Sequence, residues 1–120
     1  MDERVLPYIV AVDFDGTLCE DAYPEIGKPK KEVIAAIKEY QSYGWKIILW
    51  TCRNYEHLDK AVEWCKQQGL EFDAINTNLQ EVQDLYGGDT RKVFADVYID
   101  DKNVLLKEVD RSGIRSISSK

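Results

Sequence analysis

The sequence predicts an α/β fold, in which a mainly parallel β-sheet is covered by helices on both faces. Short apolar runs rich in β-branched residues alternate along the chain with amphipathic stretches of helical periodicity. This alternation is typical of strands joined by crossover helices. The chain has 120 residues, of which 44% are hydrophobic, enough for one core. We therefore expect a single domain over residues 1–120.

Apolar runs mark the strands of the sheet, and the segments between them carry helix signals. Predicted strands cover residues 8–12, 46–50, 72–75 and 93–99, with a possible edge strand at 114–117. Pro29 suits a first helical position, and Gly44 ends that helix. A second helix ends at Gly69, and a capping box of Asn78 and Glu81 opens a short third helix that ends near Gly87. A last helix is expected over residues 103–111, and residues 14–28 are predicted to be loop.

Composition and charge argue against several classes of function. The net charge of −6 argues against general binding to nucleic acid or to anionic membranes. No apolar run approaches the roughly 20 residues that span a bilayer, and the first residues lack the basic region of a signal peptide. Cys19, Cys52 and Cys65 have no metal-ligand spacing, which favours reduced thiols. We therefore expect a soluble, cytoplasmic protein.

Acidic and hydroxyl side chains follow the predicted strands at the point where each strand ends. The residues in question are Asp13 and Asp15 after the first strand, Thr51 and Arg53 after the second, and Asp100 and Asp101 after the fourth. The carboxyl ends of parallel strands meet at one edge of a sheet, where ligands bind. We therefore expect these side chains to lie together.

A cluster of carboxylates requires a cation, because like charges at short range otherwise force some groups to protonate. Mg²⁺ fits best, since it accepts a few carboxylates, waters and phosphate oxygens. Zn²⁺ is not expected, because His57 is the only histidine and no cysteine is placed to ligate it. Asp13 and Asp15 stand two positions apart and would point the same way in an extended segment, so they can divide nucleophile and acid/base roles. The hydroxyl and N–H of Thr51 suit a phosphate oxygen, although threonine is also an ordinary strand residue.

These residues resemble the motifs of the haloacid dehalogenase-like superfamily. Asp13-Phe14-Asp15-Gly16-Thr17-Leu18 is similar to its first motif, Ile47-Ile48-Leu49-Trp50-Thr51 to its second, and Val97-Tyr98-Ile99-Asp100-Asp101 to its fourth. The resemblance runs from residue 8 to about 103. It implies a three-layer α/β/α sandwich with a mainly parallel Rossmann-like sheet, and a Mg²⁺-dependent phosphatase activity.

The resemblance also implies a role for each matching residue. Asp13 would be the nucleophile that forms an aspartyl-phosphate, and Asp15 would protonate the leaving group and then activate water. Mg²⁺ would be held by Asp13, the backbone carbonyl of Asp15 and Asp100, with Asp101 close by. Thr51 would hold the transferring phosphoryl group.

The third motif, a lysine that neutralises the phosphate, has no clear match. Lys92 is the candidate by sequence order, but it lies eight positions before Asp100. If that stretch were all strand, Lys92 would sit up to about 25 Å away, so it reaches the site only if the chain loops back. Arg53 is the alternative phosphate-binding cation at the correct edge. Either residue could instead be a solvated surface charge, and Lys102 could merely screen the aspartate pair.

The chain also has no room for the cap domain that many superfamily members insert. Only a short flap fits between residues 18 and 28, and such an open site suits large phosphorylated substrates or cover from a neighbouring subunit. We expect a phosphorylated small molecule or macromolecule as substrate, no membrane partner, and a possible homo-oligomer.

Two other functions remain open at this point. A receiver-like phosphoacceptor domain has a similar size, but it needs an acceptor aspartate after the third strand, where this chain has Asn76 and Thr77. A non-catalytic binding module on the same fold would keep the sheet without the chemistry.

Overall fold

The computed structural model describes residues 6–89 and 93–100. Within them lie six strands and three helices, in the order β1 (Ile9–Val12), β2 (Cys19–Ala22), β3 (Glu25–Pro29), α1 (Lys31–Ser42), β4 (Lys46–Leu49), α2 (Tyr55–Gln67), β5 (Ala74–Ile75), α3 (Gln80–Tyr86) and β6 (Val97–Ile99). Every helix among these residues is too short or too polar to cross a bilayer. The predicted helix at 103–111 and strand at 114–117 lie outside the described residues.

Four of the strands form one parallel sheet in the order β5-β4-β1-β6. β1 and β4 pair in step from Ile9 opposite Lys46 to Val12 opposite Leu49. All four residues of β1 are buried, because both faces of a central parallel strand are covered. The carboxyl ends of the strands therefore finish at one edge, as the sequence predicted.

Alternate residues of the central strands enter two separate cores. Val10 and Val12 pack on one face with side chains of α1 and α2, whereas Ile9 and Ala11 pack on the other face with Val82 of α3. Helices thus cover both faces, which confirms the three-layer α/β/α sandwich with its mainly parallel sheet.

The predicted loop over residues 14–28 contains instead an antiparallel hairpin of β2 and β3, called the flap here. Its strands are mostly polar and exposed, so they lack the hydrophobic alternation that marks a strand in sequence. Pro29 pairs with Cys19 at the end of β3, so it is not a first helical residue, and α1 begins at Lys31. No cap domain is inserted between β1 and α1.

Two further elements are shorter than predicted. Only Val97–Ile99 of the expected strand at 93–99 joins the sheet. The buried side chain of Asn78 accepts a hydrogen bond from the N–H of Phe94 at 2.6 Å and donates one to Asp89 at 2.8 Å. The predicted capping box is therefore wrong, since Asn78 binds this neighbouring segment and the N-cap position is Leu79. The predicted strand at 72–75 is likewise reduced to two residues.

Candidate active site

Backbone hydrogen bonds continue past the strand ends and bring the predicted site segments side by side. The N–H of Asp13 donates to Ile99 at 3.0 Å, which places Asp13 beside the end of β6. The N–H of Trp50 donates to Val12 at 2.9 Å, which places the end of β4 on the other side of β1. The three strand ends that carry the motifs are therefore neighbours.

A cavity of about 650 Å³ opens at this edge of the sheet. Its lining includes Asp13, Thr51 and Asp100, so one space unites these three predicted residues. The remaining described walls are mainly apolar and comprise Ala11, Trp50, Cys52, Asn76, Val93, Tyr98 and Ile99. The oxygen-bearing groups thus face a small volume with a largely apolar surround, which strengthens their electrostatic interactions with a bound ion.

Asp13 is held at the end of β1 by its own local backbone. Its Oδ1 accepts a hydrogen bond from the N–H of Phe14 at 2.7 Å, which orients the half-buried carboxylate. An oriented carboxylate at a cavity floor can act as a nucleophile or as a metal ligand.

Thr51 is fixed by two hydrogen bonds that leave its hydroxyl proton available. Its Oγ1 accepts from the N–H of Arg53 at 3.2 Å, so the O–H can still donate into the cavity. Its backbone N–H donates to Oδ1 of Asn76 at 2.7 Å. The backbone N–H is therefore already engaged, contrary to the sequence prediction, and only the hydroxyl can still donate into the cavity.

Asn76 is a site residue that the sequence analysis did not assign. It follows β5 with a φ of 57°, a left-handed conformation that asparagine tolerates better than most residues. Its side chain positions Thr51, and it also lines the cavity. Its place directly after the third strand of the parallel sheet was the available signal.

Asp15 does not line this cavity, although it stands two positions from Asp13. Its carboxylate forms a bidentate ion pair with Arg53, at 2.9 Å from Nε to Oδ2 and 2.8 Å from Nη2 to Oδ1. The chain leaves β geometry after Val12, so the two aspartates do not keep the common direction expected of an extended segment.

Arg53 is buried, with 1% of its surface exposed, and its guanidinium also lies outside the cavity lining. The hydrogen bonds to Asp15 are the main cause that raises the pKa of Arg53 above its usual value, so its charge is permanent. Its predicted role as the phosphate-binding cation has no support in this geometry. Lys92, the other candidate, lies outside the described residues, as do Asp101 and Lys102.

The donor set at the cavity fits Mg²⁺. Asp13 and Asp100 supply hard oxygen ligands, and no histidine lines the cavity among the described residues. Within residues 6–89 and 93–100, no three acidic, histidine or cysteine side chains form a complete metal cluster. Two carboxylates are sufficient for Mg²⁺, because this ion retains waters and takes oxygens from a substrate phosphate.

Comparisons with known proteins agree with this architecture. The family model of the haloacid dehalogenase-like hydrolases matches residues 10–105. A solved structure of a conserved protein from Bacteroides thetaiotaomicron is 40% identical, with a TM-score of 0.71. The match covers 89% of this chain and 85% of that one. None of the curated proteins matches the chain.

Proposed function

We propose that this chain, which belongs to the haloacid dehalogenase-like hydrolases, is a Mg²⁺-dependent phosphatase that acts through an aspartyl-phosphate on Asp13. The observation that carries the proposal is the single cavity lined by Asp13, Thr51 and Asp100. It combines a nucleophile, a phosphate-binding hydroxyl and a metal-binding carboxylate, which are the parts that phosphoryl transfer needs.

In the first half-reaction, a carboxylate oxygen of Asp13 attacks the phosphorus. The bond from phosphorus to the leaving-group oxygen breaks, and that oxygen receives a proton from Asp15. In the second half-reaction, Asp15 takes a proton from water, and the resulting hydroxide attacks the phosphorus. Inorganic phosphate leaves, and Asp13 regains its carboxylate.

Thr51 binds the transferring phosphoryl group through its hydroxyl. Because Asn76 and the N–H of Arg53 fix Thr51, its hydroxyl oxygen is in place before substrate arrives, which lowers the entropic cost of binding. Lys92 remains the proposed cation on the phosphate side.

Asp13, the backbone carbonyl of Asp15 and Asp100 would hold Mg²⁺, with Asp101 nearby. The bound ion supplies charge neutralisation, which an anionic nucleophile needs to approach an anionic phosphate.

Residues 6–89 and 93–100 contain no cap domain, which favours a substrate whose leaving group extends beyond the site. We propose a phosphorylated small molecule or macromolecule that contacts the flap, with cover from a second copy of the chain as the other arrangement. We also propose a cytoplasmic location, which agrees with the three free cysteines at positions 19, 52 and 65.

Asp13→Asn tests the proposal, because it removes the nucleophilic charge at constant side-chain volume. We expect hydrolysis of p-nitrophenyl phosphate with Mg²⁺ to fall to background, with an unchanged thermal unfolding midpoint. Asp59→Asn, on the exposed surface of α2, is the matched control and should retain full activity. Acid-quenched wild-type enzyme should carry a covalent phosphate that the Asp13→Asn variant lacks.

Near-normal turnover by Asp13→Asn would end the proposal. A wild-type rate that is at background both with and without Mg²⁺ would favour the non-catalytic binding module instead. A phosphoenzyme that persists for hours would favour a receiver-like phosphoacceptor, although the chain has Asn76 after its third sheet strand in chain order.

A further inference from the structure

We propose that Arg53 is a positioning residue, which fixes the carboxylate of Asp15 and ties it to the flap. The inference rests on the proposed function, since it concerns how Asp15 performs its acid/base role. It replaces the expectation that Arg53 binds the substrate phosphate directly.

The guanidinium of Arg53 has no donor left for a phosphate. A guanidinium carries five N–H groups, and five hydrogen bonds engage its three nitrogens. Nε and Nη2 donate to Asp15, and Nη2 also donates to the carbonyl of Glu25 at 2.9 Å. Nη1 donates to the carbonyls of Pro24 at 3.3 Å and His57 at 3.4 Å.

Two aromatic rings hold the plane of this guanidinium. The Cζ atom of Arg53 lies 5.0 Å from the ring centroid of Phe14 and 5.0 Å from that of Tyr23. A planar cation stacks on such rings while it donates in its own plane, which an ammonium group cannot do. Contacts other than those with Asp15 therefore also help to fix the orientation of the guanidinium.

The pair with Arg53 engages only part of the Asp15 carboxylate. Each carboxylate oxygen has two lone-pair positions, and the bidentate pair uses one on each oxygen. The Asp15 side chain is 21% exposed, so part of it remains accessible to solvent. Arg53 thus sets the plane of the carboxylate while it uses only one lone-pair position on each oxygen.

The same guanidinium also couples Asp15 to the flap. Pro24 lies in the turn between β2 and β3, and Glu25 begins β3. The carbonyls of both residues accept hydrogen bonds from Arg53. His57 belongs to the first turn of α2, so three segments of the chain meet at one buried cation. A leaving group that displaces the flap must therefore also displace Asp15, which makes acid/base geometry sensitive to what the flap contacts.

Leaving-group dependence distinguishes positioning of Asp15 from binding of phosphate. Phenyl phosphate needs its leaving oxygen protonated far more than p-nitrophenyl phosphate does, while both present the same phosphate. We expect Arg53→Met to lower kcat/KM for phenyl phosphate by about 10²-fold, in the range that general acids contribute, and for p-nitrophenyl phosphate by less than about tenfold. The kcat/KM of Arg53→Lys for phenyl phosphate should lie between those of wild type and Arg53→Met, because an ammonium group keeps the charge but lacks the planar pair of donors.

Lys60→Met is the matched control, since it removes one positive charge from the exposed surface of α2 and should change neither rate. Equal losses for the two substrates would overturn the inference, because they would indicate that Arg53 binds the phosphate they share. If Arg53→Met does not fold, the same comparison of losses for the two substrates is made with Arg53→Lys.

Hydrogen exchange tests the tie to the flap without any substrate. We expect backbone amides of residues 19–29 to exchange at least several-fold faster in the Arg53 variants than in Lys60→Met. Unchanged exchange in the flap would overturn the inference. Absence of turnover in wild-type protein would instead overturn the proposed function. The exchange experiment does not depend on turnover and still tests the tie between Arg53 and the flap.

Discussion

Two aspartates at the end of β1 show how far single residues can be assigned from sequence. The sequence could predict that Asp13 lies with Thr51 and Asp100, because each directly follows a strand of one parallel sheet. It could not predict that Asp15 pairs with Arg53, which is 38 positions away along the chain. That pairing depends on where the flap and α2 place their carbonyls, and neither position is encoded in a local pattern.

At the same scale, the buried thiol of Cys65 leads to a prediction of how folding stability depends on pH. Burial raises the pKa of Cys65 from 9.0 to about 12. The folded protein therefore keeps a proton that the unfolded chain releases, so the stability from this group is complete below pH 9.0 and is lost as pH rises toward about 12. Burial also raises the pKa of Cys19, which adds to the same trend.

We expect Cys65→Ala to flatten this dependence. The free energy of unfolding, measured by urea denaturation from pH 9 to pH 11, should fall less steeply than in wild type, by up to about 1.4 kcal/mol per pH unit. The absolute stability drops as well, because the substitution leaves a cavity, so the slope is the quantity to compare. Cys52→Ala, at an exposed thiol, is the control and should keep the wild-type slope. An unchanged slope in Cys65→Ala would contradict the assignment.

At the scale of elements, the sequence predicts strands only where apolar residues mark them. β1 and β4 were predictable because both are buried on two faces. The flap was not, since its pairing rests on backbone hydrogen bonds between polar, exposed residues. The length of β6 was overestimated for the opposite reason. Apolar residues continue before the strand, but the side chain of Asn78 accepts a hydrogen bond from the N–H of Phe94, which a longer strand would use for pairing.

The flap depends on a close approach that only glycine allows. A Cβ at Gly27 would lie 2.2 Å from the carbonyl oxygen of Glu20 on the opposite strand. This neighbour is backbone and cannot move aside like a flexible side chain. We expect Gly27→Ala to force the strands apart, with a loss of about 1–3 kcal/mol in unfolding free energy and faster amide exchange in the flap.

Gly44→Ala supplies the comparison for this substitution. Gly44 has a φ of 89°, and a Cβ added there would meet no described atom within 4 Å, so alanine adds backbone strain without a clash. It should lower stability while the flap exchanges as in wild type. Wild-type exchange over residues 19–29 in Gly27→Ala would show that the hairpin tolerates the methyl group and would contradict the prediction.

At the scale of the whole molecule, the separation of apolar strands from polar loops explains both the stability of the sheet and the placement of charge. The strands of the parallel sheet are largely apolar and bury their side chains in two cores, so polar chemistry is confined to the loops after them. This separation made the parallel sheet, but not the flap, predictable from the hydrophobic pattern. The identity of the phosphate-side cation was not predictable, because the sequence around Lys92 has no periodicity that indicates where this residue lies.

In the proposed site, metal binding is a property of the folded molecule. Asp13 and Asp100 meet only when β1 and β6 are adjacent, so Mg²⁺ should bind the folded state far better than the unfolded chain. Binding to the folded state alone adds about 2.7 kcal/mol at a metal concentration 100-fold above Kd. We expect Mg²⁺ to raise the thermal unfolding midpoint in the absence of substrate, and EDTA to reverse the rise and stop turnover.

Asp100→Asn and Asp59→Asn remove the same charge from the cavity and from the exposed surface of α2, respectively. Asp100→Asn should lose most of the Mg²⁺-dependent rise, whereas Asp59→Asn should keep it. Equal rises in both variants would mean that Mg²⁺ stabilises this protein of net charge −6 by general screening and not through the cavity. Because screening depends on ionic strength, repeating the titration in excess NaCl separates the two causes: a bound ion continues to raise the midpoint, and a screening effect disappears.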